Sequence, residues 1–123
     1  MTHGDLLNAI LLALSARGVL AWKNNTGALT DRDGRLVRYG LKGSSDILGV
    51  IPPSGKALAI EVKVGRDRLR PEQARFGEAF VRHGGIWVVA RSVDDALVAV
   101  AVAAGGGGGR IEKEEPPEPS PGG

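Results

Sequence analysis

Cysteine is absent from the 123-residue chain. That excludes a disulfide framework, a Cys-ligated zinc and a thiol nucleophile. Histidine is nearly absent too: His3 and His83 are the only two, too few for a His-rich metal site. No apolar run approaches the roughly 18 residues needed to span a bilayer. The opening residues, MTHGDLL, have neither the positive segment nor the small-residue cleavage site of a secretory signal. The length suits one compact domain. The expectation is a soluble, cytoplasmic protein whose chemistry rests on carboxylates, lysine or hydroxyls.

Charge is nearly balanced overall, at +2, but unevenly placed. Residues 1–104 hold fourteen basic and ten acidic side chains. Six of the basic ones (Arg17, Lys23, Arg32, Arg35, Arg38, Lys42) fall within residues 17–42, against only Asp31 and Asp33. Such an excess favours a polyanion through phosphate contacts and counterion release. An ordinary solvated face has the same composition, so charge alone does not decide.

Five consecutive glycines, Gly105–Gly109, precede RIEKEEPPEPSPGG, which carries four of the seven prolines. Sequence of this kind buries too little apolar surface to offset its ordering entropy. The expected division is therefore a folded domain over 1–104 and a flexible tail over 105–123. Within the domain, Leu6, Leu7, Ile10, Leu11 and Leu14 recur at helical spacing, predicting a helix from Asp5 to about Arg17. Val19–Lys23 predicts a strand, and Asp33-Gly34 a hairpin turn between residues 29–31 and 36–39. Asp46–Ile51 and Leu58–Val64 read as strands. Pro71 opens a helix reaching about His83, Ile86–Ala90 is a buried strand, and Ser92 caps a last helix over 93–103. The order predicts an α/β fold with a mixed central sheet flanked by helices.

The strand Leu58–Val64 is the informative one. At period two, Leu58, Ile60, Val62 and Val64 share one face, while Ala59, Glu61 and Lys63 share the other. A carboxylate and an ammonium on an otherwise apolar strand need partners, because unpaired buried charge is costly. If the two strands pair as a hairpin, Asp46 at the entrance of one falls near Glu61 and Lys63 at the end of the other. Two converging carboxylates make a hard oxygen pocket suited to Mg²⁺ or Mn²⁺. A neighbouring lysine can orient or deprotonate a water, or stabilise charge on phosphorus. A Glu–Lys pair on an edge strand is the plain alternative.

Asp46…Glu61-x-Lys63 on two strands resembles the PD-(D/E)xK nuclease superfamily. Together, WKNNTGA (22–28), GLKGSSDILGV (40–50), AIEVKVG (59–65) and Gln73 resemble the VRR-NUC domain, in its small stand-alone viral and bacterial versions. The resemblance covers about residues 4–98. It implies a restriction-endonuclease-like core and Mg²⁺- or Mn²⁺-dependent DNA cleavage. It also implies Asp46 and Glu61 as metal ligands with the Val62 carbonyl, Lys63 as the catalytic lysine, and Gln73 near the site. Asp5 matches an acidic position on the first helix, where the family usually has Glu, and is thereby implied as a further metal ligand. Ser45 stands where the family has proline. Branched DNA such as a Holliday junction, a homodimer and a bacterial or phage-infected cell follow from the same resemblance.

The expected DNA-contacting residues are Lys23, Asn24, Asn25, Thr26, Lys42, Ser44 and Arg66. Asn24-Asn25-Thr26-Gly27 is equally a plain turn. Trp22, Phe76, Phe80 and Trp87 are expected in the core, and His3 is expected to be a terminal residue rather than a ligand. The rival from another class is a non-catalytic DNA-binding module of the same fold.

Overall fold

A computed structural model describes residues 1–106 and 109–112 of the chain. Three helices, α1 (His3–Ala16), α2 (Pro71–Arg82) and α3 (Val93–Ala104), accompany seven strands. These are β1 (Leu20–Lys23), β2 (Gly27–Thr30), β3 (Leu36–Tyr39), β4 (Ile47–Ile51), β5 (Lys56–Val62), β6 (Ile86–Ala90) and β7 (Gly109–Glu112). Five of them form a mixed sheet in the order β1-β4-β5-β6-β7, and β2 and β3 pair separately. The β1–β4 and β4–β5 pairs are antiparallel, and the β5–β6 and β6–β7 pairs are parallel. Helix α2 supplies the crossover between parallel β5 and β6, as its position between them requires. This is the restriction-endonuclease-like α/β arrangement.

The alternation along β5 decides which helix covers which face. Leu58, Ile60 and Val62 join the larger core with Leu6, Ile10 and Leu14 of α1 and Ala96 and Ala99 of α3. Ala59 points the other way and packs with Trp87, Val89, Phe76 and Phe80 under α2. Gly77 lets α2 lie close to the sheet, since a Cβ there would come within 2.1 Å of the Trp87 ring. The hairpin β2–β3 turns at Gly34, with φ of +80°. Asp31 Oδ1 stabilises that turn by accepting from the amides of Asp33 and Arg35.

Three expectations need correction. Gly109–Glu112, assigned to a flexible tail, is instead a strand paired with β6. Every residue of β6 is buried, so an open edge there would leave backbone groups without partners. Of that tail, residues 107, 108 and 113–123 lie outside the described residues. Trp22, expected in the core, is 46% exposed. Strand β1 is a sheet edge whose Ala21 faces α1, so Trp22 alternates to the side where no helix lies above it. The first helix starts earlier than predicted, because Thr2 caps it.

Candidate active site

The register of β4 and β5 creates the site. Their last backbone pair is Ile47 with Ile60, and one step further stand Asp46 and Glu61. Asp46 is fixed on both sides of its backbone neighbourhood. Its carbonyl accepts from the Asn24 amide at 2.8 Å, extending the β1–β4 ladder. Its Oδ2 accepts from the Val62 amide at 2.8 Å. The side chain is about a quarter exposed, so it faces the opening of the site.

Glu61 is almost wholly buried, at 2% exposure. Gln73 Nε2 donates to its Oε1 at 2.9 Å, while its Oε2 has no partner among the described residues. Burial pushes the Glu61 carboxyl up to about 8, with the adjacent Asp46 carboxylate acting in the same direction. Lys63 and Arg70 oppose that shift less strongly. Lys63, at the end of β5, is itself buried, and its amide donates to the Ala90 carbonyl at 3.0 Å. Gln73 is tied at both ends. Its Oε1 accepts from the Arg70 amide at 2.9 Å, so the start of α2 aims its amide at Glu61.

The other expected residues separate into groups. Asp5 belongs to a capping box: its amide donates to Thr2 Oγ1 and its Oδ2 accepts from the Thr2 amide. Those bonds hold its carboxyl below the usual range. The α1 residue that reaches the pair is His3, whose Nε2 lies 3.3 Å from Asp46 Oδ2. Its signal was Thr2-x-x-Asp5, a capping pattern that starts the helix at His3 and swings the imidazole over β4. Asn24 and Ser44, expected to touch DNA, bond to each other. Asn24 Nδ2 donates to Ser44 Oγ at 2.7 Å and to the Ser45 carbonyl at 3.0 Å, which uses both amide hydrogens inside the protein. They brace the turn before Asp46. Lys23, Asn25, Thr26, Lys42 and Arg66 are exposed.

Among the described residues, no three His, Asp or Glu side chains gather into a complete metal cage. The donors at hand are a carboxylate pair with one orphaned buried oxygen. This set fits a small hard cation, which takes one or two carboxylates and keeps several waters. It does not fit tetrahedral zinc with nitrogen and sulfur ligands. Among the described residues, no helix is long and apolar enough to cross a membrane.

Comparison with known families matches residues 6–94 to the VRR-NUC domain, which carries a nuclease-type, DNA-processing function. A search of curated proteins finds no match.

Proposed function

The chain belongs to the VRR-NUC family, and from that premise we propose that it is a metal-dependent DNA endonuclease working at Asp46 and Glu61. One observation carries the proposal: a buried glutamate with an unpartnered oxygen beside a second carboxylate. Such a pair is unfavourable in a protein interior unless a proton or a cation sits between the oxygens. Asp46, Glu61 and the Val62 carbonyl are the residues that would hold Mg²⁺ or Mn²⁺. When bound, the ion polarises the scissile phosphoryl group and lowers the pKa of a water.

The protein's own groups supply the rest. Burial and Asp46 favour a proton on Glu61, which would pass to solvent water when a cation takes its place, and Gln73 holds Oε1 in position. Lys63 sits two residues from Glu61 on the same face of the strand. Its ammonium can steady charge developing on a phosphate oxygen, or take a proton from the attacking water once neutral. His3 steers Asp46 through their contact. Hydrolysis of this kind leaves a 5′-phosphate and a 3′-hydroxyl. The resemblance to small stand-alone members supports branched DNA as the substrate and a homodimer as the working form. Two sites across a two-fold axis suit paired cuts.

The test is cleavage of linear, flap, fork and four-way DNA with Mg²⁺, with Mn²⁺ and with EDTA. Metal-dependent cutting with a preference for the branched forms is expected. DNA binding without nicking under every condition would identify a non-catalytic module instead.

A further inference from the structure

A groove runs from the β2–β3 hairpin along the outside of α2, and its lining is cationic. A cavity of about 320 Å³ lies between the hairpin and the start of α2, bordered by Thr26, Arg38, Lys42, Arg70 and Glu72. A second, of about 350 Å³, continues along α2 past Arg75 and Phe76. Lys42 and Glu72 belong to both, so the two cavities adjoin. Four cations therefore line one groove against a single carboxylate. Arg70 is paired with Glu72 at 3.4 Å, whereas Arg38, Lys42 and Arg75 make no ion pair among the described residues.

The groove is built firmly. Gly43, with φ of +82°, is pressed so closely on α2 that a Cβ would come within 2.4 Å of the Glu72 carbonyl oxygen. Gly40, with φ of +74°, leaves 2.7 Å between such a Cβ and Thr26 Cγ2. Only glycine tolerates both the backbone angle and the approach. The same segment leads in four residues from Lys42 to Asp46. On its other wall, the Arg70 amide holds the Gln73 that holds Glu61. The walls of the groove are thus linked to the carboxylate pair from two directions, by four residues of chain on one side and by the Arg70–Gln73–Glu61 bonds on the other.

We infer that this groove seats the sugar-phosphate backbone of one DNA strand beside the scissile phosphate, with Arg38, Lys42, Arg70 and Arg75 as its phosphate ligands. Four cations along one groove, three of them outside any ion pair among the described residues, suit the phosphates of a strand, and Leu41 and Phe76 line it with apolar surface that can meet the sugars. The inference rests on the nuclease proposal and assigns the substrate's path to it.

The experiment is a DNA-binding titration in EDTA across a range of salt, comparing wild type, Arg38→Ala/Arg75→Ala and the charge-keeping Arg38→Lys/Arg75→Lys. Arg17→Ala, at the far end of α1, is the control. All three substituted positions are exposed, and circular dichroism checks that each variant folds. The double alanine variant should bind roughly tenfold more weakly at low salt, and its salt slope should fall by about 1.5–2, for two lost phosphate contacts. The lysine pair should restore most of that slope. A double alanine variant with the affinity and slope of Arg17→Ala would overturn the inference. Binding needs no metal, so the two proposals fail separately. A wild type that never cleaves, but whose slope falls as expected in the double variant, supports the groove and refutes the nuclease.

Discussion

The two faces of β5 have opposite characters although they share one backbone. Toward α1 and α3 the strand presents Leu58, Ile60 and Val62, each at 1% exposure or less, in an unbroken aliphatic layer. Toward α2 it presents Ala59, then Glu61 and, just beyond its end, Lys63, which are buried and charged. The first face is what folding needs. The second imposes a desolvation cost that the first must offset, and the buried charges sit on a strand anchored firmly on its other side.

The largest separation between the faces is expected from Lys63→Ala. It should lower the cleavage rate by about 10²–10⁴-fold, the usual range for loss of a positioned proton donor or acceptor. Mn²⁺ affinity, read by titration calorimetry, should barely change, because the ammonium is not a ligand. A loss of metal binding as large as that of Glu61→Ala would merge two roles kept apart here.

Ile60→Ala probes the opposite face. Removing a fully buried isoleucine should cost about 2–5 kcal/mol of stability, read by urea unfolding. Below the unfolding transition, cleavage per folded molecule should stay within a few-fold of wild type. Selective loss of activity in a fully folded variant would mean that the faces are not separable.

Smaller and pH-dependent is the effect of Glu61 itself on stability. Its folded carboxyl is raised to about 8 from an ordinary 4.5, so the native state holds a proton that the unfolded chain releases. Stability from this source is complete below about 4.5 and declines as pH rises through about 8. The metal-free protein should therefore lose stability between about pH 5 and pH 8, by a few kcal/mol at most and visible as a falling Tm, and Glu61→Gln should flatten that slope. A wild-type Tm that rises over the same interval would contradict the assigned environment.

The same contrast explains what the sequence revealed. Strong alternation over Leu58–Val64 and the apolar run Ile47–Ile51 identify both strands, and their antiparallel pairing sets Asp46 beside Glu61. Gln73 needed the family resemblance, since nothing local says that a helical glutamine turns inward. What stayed hidden depended on tertiary demand. Strand β7 is four residues of glycine-rich sequence with one aliphatic, Ile111, and it exists because β6 would otherwise lie bare. Trp22 looked like core because aromatic periodicity does not reveal that a strand is an edge. The Asn24 clamp on Ser44 and Ser45 closes over twenty residues of separation, beyond the reach of any local pattern.

The most direct test of the carboxylate pair is Asp46→Asn, assayed for nicking in Mg²⁺ and for DNA binding in EDTA at one salt concentration. Asparagine is nearly isosteric, and its amide oxygen can still accept from the Val62 amide, so the strand entrance should stay packed. One negative charge leaves a site that must admit a phosphate, and one anionic ligand is lost to a hard cation. The expected result is abolished nicking with DNA affinity equal to or above wild type. Nicking within a few-fold of wild type would show that Asp46 merely starts a strand, and the carboxylate pair would not be the catalytic centre.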